Sequence, residues 1–301
     1  VQPNKIEVLL SSIHAVICKS DDKLDISHFP SADKLKNHIT DYEKDIAKLQ
    51  RRQKRHFING IKEFIAKDES IASIMAYVVG NLFAADDFGD KIGESSKKML
   101  YKTIPDLASD IMTSIDKDIS FSIMSQKTVD WIEKTGPYLG EIMKLTSHEA
   151  VEKAIRTGIE NGEGIDKIVD RIKVLPEFDR KRAETTAITE VLAASSAASQ
   201  EAFSQSPSVE GKTWLHSGGK GITPRPAHVA YSNTTVPVEE PFQVGGEFGM
   251  YPRSMEFSAR NRVRCHCVMV PSVNQDILKL SKEEKEKIRE ERVTLLGGYA
   301  V

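Results

Sequence analysis

Between Phe178 and Phe203 small residues recur at steps of three and four, at Ala183, Ala187, Val191, Ala194, Ala198 and Ala202. A helix carrying such a stripe lets other backbones approach closely, so the segment predicts the central helix of a domain. After it the texture changes. Residues 206–211 read as a linker and KTWLH as a strand, and the chain stays rich in Gly and Pro as far as Pro252, the punctuation of short strands and loops. A last apolar strand, Arg264 to Val270, leads through Pro271 to the charged helix LSKEEKEKIREERVTLL and a Gly-containing tail. The expected class is therefore α+β, with a mainly α-helical N-terminal region followed by a small C-terminal α+β domain of a few short strands.

The front of the chain supports the helical half of that expectation. An apolar run from Ile6 to Cys18 and the punctuation HFPS suggest an arm over 1–30, with a helix starting after Pro30 and Ser31. Leu35, Ile39, Tyr42, Ile46 and Leu49 then alternate steps of four and three, a coiled-coil-like seam that a partner helix must cover. Internal packing is the preferred partner over a second chain. The same helix continues through RRQKRHF, where Arg51, Arg52, Lys54, Arg55 and His56 interrupt the seam. A solvated face balanced by nearby acids is preferred there over phosphate contact. Residues 70–125 read as further helices separated by polar turns such as AADDFGDKIGESS. Thr146 with Glu149 has the spacing of a capping box, Asn161-Gly162 closes that helix, and a short helix bearing Ile165, Ile168, Val169 and Ile172 stops before Pro176. The resulting division is an arm over 1–30, a helical domain over 31–126, a domain over 127–272 (helical to 206, α+β over 207–272), and a charged helix with tail over 273–301.

Composition narrows the function classes. With 301 residues the chain suits two domains or one with long arms, and 40% hydrophobic residues suffice for a core. Forty-two basic against 44 acidic residues give no global case for coating nucleic acid. The cysteines Cys18, Cys265 and Cys267 are too few and odd in number for a disulfide framework. No stretch reaches the roughly 18 apolar residues of a membrane helix, and the start lacks a basic n-region; a chain that is neither membrane-bound nor exported is expected. G-x-S-x-G, P-loop and H-E-x-x-H motifs are absent.

Read as a strand, the closing segment puts Val263, Cys265, Cys267 and Met269 on one face and Arg262, Arg264 and His266 on the other. Two thiols with His228, and His216 as a fourth, are ligand types that suit tetrahedral zinc. However, C-x-C is tighter than the usual gap of about two to four residues, so packing as small hydrophobes is preferred and no metal or cofactor is expected. The cationic face, with Arg260 and the basic turn at Arg253, has two readings: phosphate contact, or solvated arginines guarding an edge strand. Arg182 and Glu190 are expected to pair with the Arg225 and His228 loop as a buried polar network; a hydrolytic Glu190–His228 site is the enzymatic alternative.

The strings GIENGEGIDKIVDRI, RAETTAITEV, GKTWLH, TPRPAH and VRCHCVMVP occur in that order. Together they resemble the phage Mu F-like minor head protein family, whose pattern runs from a G-x-x-I helix through R-A-x-x-I-A-R-T-E, a K-x-W strand and an Arg-rich turn with a His to a C-R-C strand. The matching positions are Arg182, Glu190, Trp214, Arg225, His228, Cys265 and Cys267, with Asn261 in place of the Asn or Gly before the closing strand. Ile188 replaces the Arg of A-R-T-E, and Ser217, Gly218, Gly219 and Lys220 stand where the family has an acid after the tryptophan strand. The resemblance implies a non-enzymatic role in head morphogenesis of a tailed phage or prophage. It implies a position inside the capsid near the portal, reached from the host cytoplasm during assembly, with portal or major capsid protein as partner. Contact with packaged double-stranded DNA would fall on Arg51, Arg52, Lys54 and Arg55 or on Arg260, Arg262 and Arg264. The seam from Leu35 to Leu49 and the C-terminal charged helix are the expected protein contacts. A toxin-like effector enzyme carrying a Mu F-like domain and a free-standing DNA-binding module are the alternatives.

Overall fold

The computed structural model describes residues 25–66, 73–216 and 224–300; the run Ile6 to Cys18 and the stretch Ser217 to Lys220 lie outside them. It is an α+β protein with a helical front and short antiparallel strands behind. The chain divides into two compact units, the first made of the chain up to Thr40, Lys98–Lys134 and Ile188–Val301, the second of Asp41–Lys97 and Thr135–Ala187. Helices α1 (Ala32–Ile65), α3 (Phe88–Ile115), α4 (Gln126–Glu160) and α6 (Arg180–Gln205) each contribute to both. Among the described residues no helix is long and apolar enough to cross a membrane.

The α1 seam is covered by the chain's own helices, as expected. Leu35, Ile39, Tyr42 and Ile46 are buried, and Leu49 is half-buried. In the second unit the Tyr42 hydroxyl meets Ser96 Oγ at 2.6 Å. In the first, Lys34 bridges Asp106 and Asp110 of α3.

The second unit packs α1, α2 (Ile74–Tyr77, continued as a π-helical turn over Val78–Phe83), α4 and α5 (Ile165–Lys173). Its core joins Phe57, Ile61, Val78, Leu82, Val151, Ile155, Ile168, Val169, Ile172 and Phe178. Gly162, at φ +65°, ends α4 where Asn161-Gly162 was expected to.

Two local readings are corrected here. Thr146 does not cap a helix, because α4 runs unbroken through it and its hydroxyl donates to Ile142 O at 2.6 Å. The polar turn before α3 is confined to residues 84–87, because Gly89 and Gly93 belong to the helix and serve close packing. A Cβ on Gly140 would stand 2.1 Å from Gly89 O, and one on Gly136 would stand 2.8 Å from Gly93 O. Glycines four apart on both helices thus let the α3 and α4 backbones touch.

In the first unit β1 (Val209–Leu215) is the centre of a three-stranded antiparallel sheet, flanked by β2 (Thr235–Pro237) and β5 (Val268–Val273). Between β1 and β2 lies the short helix α7 (Pro226–Ala230). A separate hairpin, β3 (Phe242–Val244) and β4 (Glu247–Gly249), turns through Gly245 and Gly246, both at positive φ as a tight two-residue loop requires. The helical turn α8 (Ala259–Arg262) precedes β5; α9 (Gln275–Leu278) and α10 (Lys282–Leu295) follow it. From Ile188 to Ser204 the alanine-rich α6 is almost wholly buried, as the small-residue stripe predicts. The charged helix α10 starts at a capping box of Ser281 and Glu284. It is docked through Lys285, which reaches Asp116 at 3.0 Å and Asp118 at 2.7 Å.

Candidate functional site

Of the residues singled out by motif, all but Arg182 lie in or around one loop of the first unit, 259–267. The strand expected from Arg264 begins only at Val268, and Arg262 ends a helical turn. Arg264 adopts φ +50°, which breaks strand geometry between them. The alternation of faces therefore does not hold. Arg264 and His266 are buried at 9% and 5% exposure, and Arg260 alone of the expected cationic face stays exposed. His28 Nε2 donates to His266 O at 3.0 Å, which ties the loop to the chain before α1.

Glu190 and Arg225 brace this loop. Glu190 on α6 accepts from Arg262 Nη2, and Thr189 Oγ1 accepts from the Arg264 N–H at 3.1 Å. Arg225, at the start of α7, donates from Nε to Arg260 O at 2.8 Å and from Nη2 to Val263 O. Trp214 on β1 meets His228 edge-on with ring centroids 5.5 Å apart. The expected pairing of Glu190 with Arg225 and His228 is thus replaced by Glu190 with Arg262. Arg182 belongs to the second unit, where it donates to Ser147 Oγ, Glu177 O and Met143 O at 2.9–3.0 Å. Its burial pushes the guanidinium down to about 10.

Arg253 was read from sequence only as a surface basic turn, and it is the loop's main support. It is fully buried, at φ +68°, and donates from Nη1 to Cys265 O and Cys267 O, both at 2.7 Å, and from Nη2 to Ser196 Oγ. No local sequence signal marks it, because an arginine in a Pro-rich turn is exposed by default. Lys212, the lysine of the K-x-W string, is likewise buried. It donates to Gln200 Oε1 at 2.8 Å and Met250 O at 2.7 Å, and burial brings it down to about 7.

Held this way, the C-x-C turn directs both thiols at one imidazole. His228 Nδ1 lies 3.5 Å from Cys265 Sγ and 3.4 Å from Cys267 Sγ, and His216 Nδ1 lies 3.9 Å from Cys267 Sγ. On its far side His228 Nε2 stands 3.3 Å from Asn261 Oδ1. Burial pushes the Cys265 thiol up, but hydrogen bonds from Cys267 and His228 and the Arg253 charge more than offset it and hold it well below the usual thiol range. Cys267 is raised by its hydrogen bond to Cys265 and by burial, so the pair shares a proton.

The front basic cluster lies on α1 in the second unit. Arg52 pairs with Asp87 at 2.7 Å and Lys54 donates to Lys173 O, while Arg51 and Arg55 face solvent.

A family model described as "Phage Mu protein F like protein" matches residues 149–270. The "Uncharacterized protein YqbB" of Bacillus subtilis (strain 168) is 43% identical over 298 residues, covering 96% of this chain and 98% of that one. The chain belongs to the phage Mu F-like family. That makes it a phage head-related protein. The Mu F-like match takes in Arg182, Glu190, Trp214, Arg225, His228, Cys265 and Cys267, and also Arg253 and Asn261. No solved structure matches the chain.

Proposed function

We propose that this Mu F-like protein is a minor head component of a tailed phage, built into the procapsid beside the portal and acting in head morphogenesis without a catalytic cycle. The observation that carries the reading is the Mu F-like match over 149–270, in a chain whose 43% identical relative extends over nearly its whole length. The geometry supports it: Glu190 is committed to Arg262, and His228 to Asn261 and two buried thiols. Contact with packaged duplex DNA falls on Arg51, Arg52, Arg55 and Arg260, the exposed members of the two basic clusters.

The test is co-purification of the full chain with phage-like particles assembled with and without the portal protein. Retention that depends on the portal is the expected result. Absence from both kinds of particle, together with toxicity when the chain is expressed alone, would replace this reading with that of a toxin-like effector.

A further inference from the structure

We propose that His228, Cys265 and Cys267, with His216 closing the fourth position, form a tetrahedral site for one structural zinc ion. The first support is metric. Zinc bonds of about 2.3 Å to sulfur and 2.0–2.1 Å to nitrogen, at tetrahedral angles, place sulfur and nitrogen about 3.5 Å apart. His228 Nδ1 lies 3.5 and 3.4 Å from the two sulfurs, and His216 Nδ1 stands farther out, 3.9 Å from Cys267 Sγ. The donor atoms of His228, Cys265 and Cys267 all lie within 4.8 Å of one another.

The second support is the shell behind the ligands. A zinc-bound imidazole characteristically donates its other N–H to a carbonyl or carboxylate, which fixes the tautomer; Asn261 Oδ1 receives His228 Nε2 in that way. Arg253 clamps the carbonyls of both cysteines. Trp214 Nε1 is buried beside the site with no hydrogen-bond partner among the described residues. A pair of thiols buried as hydrophobes needs neither a convergent imidazole nor a clamp on its backbone. The short C-x-C spacing is accommodated because the two cysteines lie in a loop rather than a strand, and both face one imidazole.

The donor set names the metal class. Two sulfurs and two imidazole nitrogens with no oxygen ligand favour zinc over magnesium or calcium. Four protein ligands leave no position for water, the mark of a structural rather than a catalytic ion. Such an ion would fasten the end of β1 at His216, α7 at His228 and the loop before β5, segments far apart in sequence. Binding needs the thiolates, so the thiol protons pass to solvent.

The experiment is elemental analysis of the full chain, purified without a polyhistidine tag and without added metal, followed by zinc titration of chelator-treated protein. One zinc per chain is expected, with a cobalt-exchanged form that shows sulfur-to-metal charge transfer. Asn261→Ala, which spares every ligand, is expected to weaken zinc affinity about 10- to 100-fold. His216 is half-buried, so His216→Ala should fold and bind zinc more weakly. Folded wild-type protein without zinc, its Tm unmoved by zinc or chelator, would overturn the proposal. So would zinc retained by a folded Cys265→Ser, Cys267→Ser variant, or iron or copper at one per chain in place of zinc.

Discussion

Arg262 on α8 donates to the carboxylate of Glu190 on α6, with the two side chains only 12% and 6% exposed. The same guanidinium donates from Nε to Arg253 O at 3.0 Å. One charge pair therefore joins the central helix to the loop that carries the two cysteines, and each side chain depends on the other for its neutrality.

Removing one member leaves the other charged and buried. Glu190→Ala should destabilise the protein by about 3–5 kcal/mol, measured by urea unfolding, whereas Glu190→Leu with Arg262→Leu should recover most of that loss. Equal effects of the single and double changes would mean that the pair is not coupled.

Arg253→Lys keeps the charge and loses the fork. An ammonium cannot reach Cys265 O, Cys267 O and Ser196 Oγ together. A loss of about 3 kcal/mol is expected, with faster labelling of Cys265 and Cys267 by a thiol reagent. Unchanged labelling would show that the loop is held by other contacts.

In the second unit Gly140→Ala drives a methyl into Gly89 O, backbone that has no rotamer to escape with. A loss of about 1–3 kcal/mol is expected. Gly80→Ala, where nothing lies within 4 Å, should instead raise stability by about 0.4–1 kcal/mol. Thermal unfolding of the two variants should move in opposite directions.

Asp86 governs an acid transition. Burial pushes its carboxyl up, but hydrogen bonds from His148 at 2.8 Å, Gln53 at 2.7 Å and the Phe88 N–H at 3.1 Å outweigh this and hold it below the usual carboxylate range. A carboxyl lower in the folded state adds stability above the unfolded value of about 3.9, and the contribution disappears as pH falls through the folded value. The urea midpoint of the wild type should therefore drop more steeply between about pH 5 and 3 than that of Asp86→Asn. Parallel curves would rule the linkage out.

The sequence by itself determined the elements whose signals are local. The small-residue stripe of α6, the seam of α1, the β1 strand, the Asn161-Gly162 stop and α10 all follow from side-chain period and turn chemistry within a few residues. It also determined the family, because the ordered strings from GIENGEGIDKIVDRI to VRCHCVMVP lie along the chain.

Only the tertiary structure decided what those residues do. Arg264 leaves the strand region, Thr146 turns its hydroxyl back into α4, and the glycines of α3 and α4 pack helix on helix instead of making turns. Glu190 and Arg262 lie 72 residues apart, Arg253 and Ser196 lie 57, and Cys267 and His216 lie 51. Period and propensity act over one or two turns of chain, whereas the burial of a charge or the meeting of two thiols with an imidazole depends on which distant segment arrives to satisfy it.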